Sequence, residues 1–115
     1  MITGVHTILF SPQADRIRTF LRDVLEWHSV DAGGGWPIFA QPASEMAVHP
    51  DETGGRAEIY LMCDDLQATM KGLQAKGVEC GAIMEARWGT ITSIQLPGGG
   101  ELGLYQPKHP TAIAL

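Results

Sequence analysis

The sequence predicts an α+β domain made of two copies of a strand–helix–strands unit. A strand-like segment followed by a helix-like apolar period occurs twice along the chain. Each helix is followed by short strand-like segments that glycine and proline separate. The 115 residues are enough for one domain with one core, and a composition of 44% hydrophobic and 18% charged residues is that of a globular protein.

The first unit opens with a strand over residues 5–10. Ser11-Pro12 supplies an N-cap followed by proline, and apolar residues then recur at the period of a helix with one buried stripe. These apolar residues are Ile17, Phe20, Leu21, Val24 and Leu25. Short strands are expected near 28–32, 36–40 and 45–49, before a polar turn.

The second unit repeats this order. Residues 58–63 read as a strand, and Asp64 with Gln67 resembles a capping box at the start of a second helix. Gly77 is a suitable residue to end that helix. Strands are expected near 78–84, 89–96 and 101–106. The predicted boundaries are module one at 1–54, module two at 55–107 and a tail at 108–115.

Alternation along the strands sorts the side chains by face. Ile59, Leu61 and Cys63 share one side of their strand, and Leu102 and Leu104 share one side of theirs. These aliphatic sets suit the helices. The opposite sets contain Glu58, Tyr60, Met62, Gly103 and Tyr105. A curved sheet with polar and aromatic groups on its concave side predicts a cup that binds a small molecule.

Charge and length exclude several other functions. The net charge of −5 provides no basic face for a nucleic acid backbone. No segment approaches the roughly 20 apolar residues of a membrane span, and the N-terminus lacks the pattern of a signal peptide. Cys63 and Cys80 match no metal or redox spacing. We therefore expect a cytoplasmic protein with reduced cysteines, and no nucleic acid or membrane partner.

Three segments together resemble the vicinal oxygen chelate superfamily, which includes glyoxalase I, bleomycin-resistance proteins and extradiol dioxygenases. They are Val-His-Thr-Ile-Leu at 5–9, Ile-Tyr-Leu-Met-Cys-Asp-Asp-Leu at 59–66 and Leu-Pro-Gly-Gly-Gly-Glu-Leu-Gly-Leu-Tyr at 96–105. The resemblance covers nearly the whole chain. It implies paired βαβββ modules that form an eight-stranded, cup-shaped mixed sheet with helices on the convex face, in homodimers.

The resemblance also implies a divalent metal (Zn, Ni, Mn or Fe) on the inward face of the cup. Of the four family ligand positions, His6 and Glu58 carry side chains that can coordinate, whereas Ala47 and Gly103 do not. Two ligands are fewer than the three that catalytic metal sites normally supply, so a bound metal would be weakly held. His49 or Glu101, each about 6–7 Å along its strand from a lost ligand, could supply a third.

Two functions remain open at this stage. One is a metal-free binding protein whose cup is lined by Trp36, His49, Tyr60, Trp88 and Tyr105. The alternative is a metal-dependent lyase, isomerase or dioxygenase with metal ligands His6 and Glu58, and with Glu58 and Glu101 as catalytic carboxylates. Several of these residues also have a plain structural interpretation: His6 as a cup histidine with a hydrogen-bond partner across the pocket, Glu58 and His49 as exposed residues at strand ends, Glu101 as a turn carboxylate, and Trp88 as packing at a strand bend.

Overall fold

The computed structural model describes residues 6–45, 47–50, 52, 54 and 57–114. The elements, in chain order, are α1 (Ala14–Asp23), β1 (Ser29–Asp31), β2 (Pro37–Phe39), β3 (Tyr60–Met62), α2 (Leu66–Ala75), β4 (Met84–Ala86), β5 (Gly89–Gln95), β6 (Glu101–Pro107) and a 3₁₀ turn (Ala112–Ala114). The α+β class is confirmed. Within these ranges each helix has ten residues, and neither is long and apolar enough to cross a bilayer.

The second unit forms a four-stranded mixed sheet in the order β3-β6-β5-β4. β3 runs parallel to β6 and is followed by the helical crossover α2, while β5 runs antiparallel to both of its neighbours, β4 and β6. A parallel pair needs such a crossover, because its strands cannot be joined by a tight turn. The βαβββ pattern expected for this unit is therefore present.

The first unit differs from the prediction. Its described part contains α1 and the two-stranded hairpin β1–β2, whereas residues 6–10, and 45 with 47–49, are not strands. Positions 5 and 46 of the predicted strands lie outside the described residues. Ile8, Leu9 and Phe10 are exposed, so the burial that would hold them in a sheet is missing. The described residues form six strands in two sheets, and the eight-stranded cup stays a prediction.

The core lies on one face of the four-stranded sheet, where both helices pack. α1 contributes Ile17 and Phe20, and α2 contributes Leu66 and Leu73. The sheet side of the same cluster consists of Ile94, Leu96, Leu102 and Leu104. Ile59, Leu61 and Cys63 pack against this cluster, as their alternation predicted.

The helix boundaries shift slightly from the sequence pattern. The N-cap of α2 is Asp65, whose carboxylate accepts a hydrogen bond from Ala68 N at 3.1 Å, and not Asp64. Leu66 explains this, because its side chain is buried and its N–H donates to Gln106 Oε1 at 2.9 Å. These tertiary contacts of Leu66 thus determine where the helix begins. Gly77 follows the helix with a φ of 81°, as its predicted role requires.

Two other predicted boundaries also change. Ser11 Oγ accepts a hydrogen bond from Gln13 N at 3.0 Å, so the first helix begins two residues after Pro12 instead of at it. The predicted strand at 78–84 is reduced to an isolated bridge between Cys80 and Ile94, and β4 begins at Met84. Gly81 lies in this interval against the Ser93 side chain. The close approach there favours a bend over a regular strand.

The cap assignment predicts different effects for two adjacent aspartates. Asp65→Ala should lower the free energy of unfolding by about 1 kcal/mol, within a range of about 0.5–2 kcal/mol, because Ala68 N–H loses its acceptor. Asp64→Ala should change it by less than about 0.5 kcal/mol. Urea unfolding of both variants measures the difference. Equal losses of stability, or a larger loss for Asp64→Ala, would contradict this assignment and support Asp64 as the N-cap, as the sequence pattern indicated.

Candidate functional site

The face of the four-stranded sheet opposite the helices carries the candidate site. Tyr60 is in register with Gly103, and Met62 with Tyr105, so these residues share that face. Ile91 of β5 lies opposite Tyr105 on the same face. The sequence predicted this separation into an aliphatic face and an aromatic one. We call this second side of the sheet the aromatic face.

Three aromatic rings contact one another on the aromatic face. The Tyr60 ring lies 5.7 Å from the Trp88 ring and 5.8 Å from the Tyr105 ring, measured between centroids. Trp88 and Tyr105 are 5.2 Å apart, and all three contacts are edge-to-face. This is the arrangement that aromatic quadrupoles favour. Tyr60 and Trp88 remain 39% and 40% exposed, whereas Tyr105 is 8% exposed. Two rings therefore present surface and the third supports them.

His109 adds a fourth ring and a defined hydrogen bond. Its imidazole stacks on Tyr105 with centroids 5.9 Å apart, and its Nε2 lies 3.1 Å from the Tyr105 hydroxyl. Its Nδ1 lies 2.7 Å from the carbonyl oxygen of Pro110. A carbonyl only accepts, so Nδ1 donates to Pro110, and Nε2 shares a hydrogen bond with the Tyr105 hydroxyl.

Burial and a nearby carboxylate both favour the protonated form of the Tyr105 hydroxyl. Burial, and then the negative charge of Glu45, raise the pKa of Tyr105 above its ordinary value. Glu45 Oε1 also accepts a hydrogen bond from Ala112 N at 2.9 Å. Glu45 therefore connects the first unit to the C-terminal segment that follows β6.

That C-terminal segment borders an open recess beside the rings. The recess has a volume of about 400 Å³. Its lining residues come from the ends of β3 and β6 and from the tail: Met62, Cys63, Asp64, Gln106, Pro107, His109 and Thr111. Lys108 holds the tail to the sheet, with Nζ 2.6 Å from Glu85 Oε2. His109 belongs both to the recess and to the aromatic cluster, so the two are contiguous.

Three of the five predicted ligand-binding residues come together here, namely Tyr60, Trp88 and Tyr105. The other two lie elsewhere in the described contacts. The Trp36 ring packs under the Arg18 guanidinium of α1, 4.6 Å from its centroid, and His49 is exposed on an irregular segment.

The two carboxylates predicted to be catalytic also separate. Glu58 Oε2 accepts a hydrogen bond from the Tyr60 hydroxyl at 3.1 Å, which places it next to the rings. Glu101 Oε2 accepts from Gln95 Nε2 at 3.1 Å across the β5–β6 pair and is exposed. Of these two carboxylates, Glu58 is the one that has a hydrogen bond to the aromatic cluster among the described residues.

The residues described do not fit a metal centre. His6 and Ala47 are exposed on irregular segments, and the Tyr60 ring lies directly against Gly103. Among the described residues, no group of three or more His, Cys, Asp or Glu side chains is placed to share one ion. Three protein ligands are the usual minimum for a catalytic zinc site.

Sequence reasoning missed His109 and Glu45. Both reach the aromatic face from irregular segments, where neither the strand period nor the helix period relates one side chain to another. Tyr105 lies in β6 and His109 lies beyond the end of that strand, so no regular period relates the two residues. Their contact depends on the tail folding back onto its own sheet, which the sequence pattern does not indicate.

Comparison with known proteins identifies the fold. No protein-family model and no curated protein sequence matches this chain. Solved structures do match. An antibiotic-binding protein, TnmS3 from Streptomyces sp. CB03234, superposes with a TM-score of 0.63 at 21% identity, over 94% of this chain and 100% of that one.

Two further matches have the same architecture. A member of the glyoxalase/bleomycin resistance protein/dioxygenase superfamily from Sphaerobacter thermophilus DSM 20745 gives a TM-score of 0.62 at 21% identity, over 91% of this chain and 98% of that one. Lactoylglutathione lyase from Agrobacterium tumefaciens gives 0.61 at 15% identity, over 90% and 92%. The chain therefore has the fold of this superfamily, the vicinal oxygen chelate fold. The resemblance read from the sequence is confirmed at the level of the fold.

Proposed function

We propose that the protein is a small-molecule-binding protein of the cytoplasm that holds its ligand on the aromatic face. The observation that carries this proposal is the cluster of Tyr60, Trp88 and Tyr105, two of whose rings remain about two-fifths exposed beside a recess of about 400 Å³. A recess of this size, with polar groups in its lining and exposed aromatic rings beside it, is a typical place for a small ligand.

The polar groups around the rings suit recognition. Gln106 already uses its Oε1 for the N–H of Leu66, and His109 is held by Tyr105 and Pro110. Asp64 and the Thr111 hydroxyl border the recess and can contact a ligand. One fold neighbour is an antibiotic-binding protein, which supports binding without conversion as the function.

The alternative is a metal-dependent lyase, isomerase or dioxygenase that uses His6 and Glu58. One fold neighbour is named lactoylglutathione lyase, which supports this alternative. The fold alone does not choose between the two, because one fold supports many functions. The contacts favour the binding function for two reasons. Glu58 accepts a hydrogen bond from the Tyr60 hydroxyl, and Gly103 has no side chain that could bind a metal.

A thermal-shift screen of small molecules, run with and without EDTA, tests the proposal. Ligands at 100 times their Kd add about 2.7 kcal/mol of stability and should raise the Tm by several degrees in both conditions. Trp88→Ala should remove most of these shifts. Trp36→Ala should keep them, because the Trp36 ring packs on Arg18.

Other results of this screen would count against the proposal. Shifts that vanish with EDTA and return with Zn²⁺, Ni²⁺, Mn²⁺ or Fe²⁺ would favour the metal-dependent alternative. Thermal shifts that survive Trp88→Ala and disappear in Trp36→Ala would indicate that the ligand binds in the first unit.

We also propose that the protein is a homodimer. Its accessible surface is 8766 Å², whereas a compact monomer of this mass exposes only about 6,100 Å². The excess is larger than the roughly 800 Å² that each partner contributes to a standard interface. The radius of gyration, 15.2 Å, likewise exceeds the value of about 13.4 Å for a compact chain of this length.

The exposed apolar side chains indicate which part would be covered. Several large ones lie in the first unit: Ile8, Leu9, Phe10, Val30, Trp36, Ile38 and Val48. Phe10 is 87% exposed and Val48 88%. Apolar surface of this extent is typical of an interaction site. A second copy of the chain offers a matching surface through two-fold symmetry.

Sedimentation should therefore give about twice the chain mass of 12.4 kDa at micromolar concentration. Phe10→Asp should shift the protein to a monomer, because a charge in a dry interface is costly. Ile113→Asp, a matched change at an exposed apolar residue of the tail, should leave the mass unchanged. A wild-type monomer at this concentration would contradict the dimer.

A further inference from the structure

The Tyr60 ring occupies the space above Gly103. The two residues are paired in the parallel register of β3 and β6. A Cβ atom at position 103 would lie 2.5 Å from Cε1 of Tyr60 and 2.8 Å from its Cγ, and closer still to Cδ1. Such distances are far inside van der Waals contact. A side chain at position 103 and the present position of the Tyr60 ring are therefore mutually exclusive.

Tyr105 rests on a glycine in the same way. A Cβ atom at position 89 would lie 2.8 Å from Cδ2 of Tyr105 and 2.8 Å from the carbonyl oxygen of Gln106. Gly89 is buried and starts β5. Two glycines thus leave room for two tyrosine rings, and Trp88, which directly precedes Gly89, closes the cluster against both rings.

These contacts fix the orientation of the exposed rings before any ligand arrives. Tyr60 is restrained by Gly103, by two edge-to-face contacts and by the hydrogen bond to Glu58. A ligand that stacks on restrained rings loses little side-chain entropy of the protein. Each aromatic contact of favourable geometry adds a factor of about 2 to 13 in affinity beyond the area it buries. A saturated molecule of the same size gains affinity only from the apolar area that it buries.

We infer that Tyr60, with Gly103 beneath it, determines the ligand class of this site: a planar aromatic molecule that stacks on the Tyr60 ring and meets Trp88 edge-to-face, without a metal bridge. This inference rests on the proposed binding function and specifies its ligand. A carboxylate at position 103 could not be added without displacing the ring. The ring therefore stands where the resemblance places a metal ligand.

A pair of probes that differ in planarity tests the inference. The full-length protein is titrated with 2-naphthol and with decahydro-2-naphthol, its saturated counterpart, in excess EDTA, and the affinities are measured by protein-observed NMR. We expect 2-naphthol to bind about tenfold more tightly than the saturated compound. Removing EDTA and adding Zn²⁺ should leave both affinities unchanged.

Three variants test whether the Tyr60 ring causes the preference for the planar probe. Tyr60→Phe should retain the planar preference, because it keeps the ring and loses only the hydroxyl. Tyr60→Leu should reduce the preference to within about twofold. Gly103→Ala, which pushes the ring from its place, should weaken 2-naphthol binding while the saturated compound is little affected. If Tyr60→Leu fails to fold, Trp88→Leu should reduce the preference in the same direction.

The outcomes separate this inference from the binding function itself. Equal affinities for the two probes, or a planar preference that survives Tyr60→Leu, overturn the inference. If that happens while the thermal-shift screen finds other ligands that need Trp88, the binding function stands without it. A screen with no ligand at all overturns both. Binding of 2-naphthol that requires Zn²⁺ would contradict the metal-free stacking mode.

Discussion

The strict alternation of side chains along β6 is the constraint on which the rest of the structure depends. Leu102 and Leu104 point into the helices and complete the core, while Gly103 and Tyr105 point to the other side. β6 lies between β3 and β5, and Gly103, Leu104 and Tyr105 pair with both neighbours. A shift of register by one residue would exchange the two faces. The core and the candidate site are thus opposite sides of one strand, and neither can be rearranged without the other.

The two units differ in how much of their own apolar surface they bury. The second unit has a sheet, a helix and most of the core, and the first adds α1 to that same core. The hairpin β1–β2 has three-residue strands with exposed or half-buried side chains, and a two-stranded hairpin alone is only marginally stable. α1 therefore couples the first unit to the second, and Lys76 Nζ adds a hydrogen bond to the carbonyl oxygen of Val24 at 3.1 Å. This imbalance is the physical reason to expect a partner surface.

The sequence predicted the second unit well because its signals are local and redundant. Strand alternation and the helix period indicated the same arrangement, and the faces of β3 and β6 follow from them. The first unit was predicted less well. Residues 6–10 carry a strand pattern, but a pattern becomes a strand only where an adjacent strand and a core are available. Within the aromatic cluster, the shared face of Tyr60 and Tyr105 follows from alternation, and Trp88 was a candidate from its residue type, whereas the contacts of His109 and Glu45 depend on how irregular segments fold back. The clash between a side chain at position 103 and the Tyr60 ring is also invisible in sequence, because it depends on the parallel register and on a rotamer.

The contact between the Tyr60 ring and Gly103 is central to the candidate site, since it gives a physical reason for the glycine and orients the exposed ring. It can be observed directly by NMR of the unmodified protein. We expect strong nuclear Overhauser effects between the Gly103 Hα protons and the Tyr60 ring protons, together with a ring-current shift of at least one Hα that disappears in Tyr60→Leu. Gly103 Hα protons at random-coil shifts, with no Overhauser effect to the ring, would contradict it.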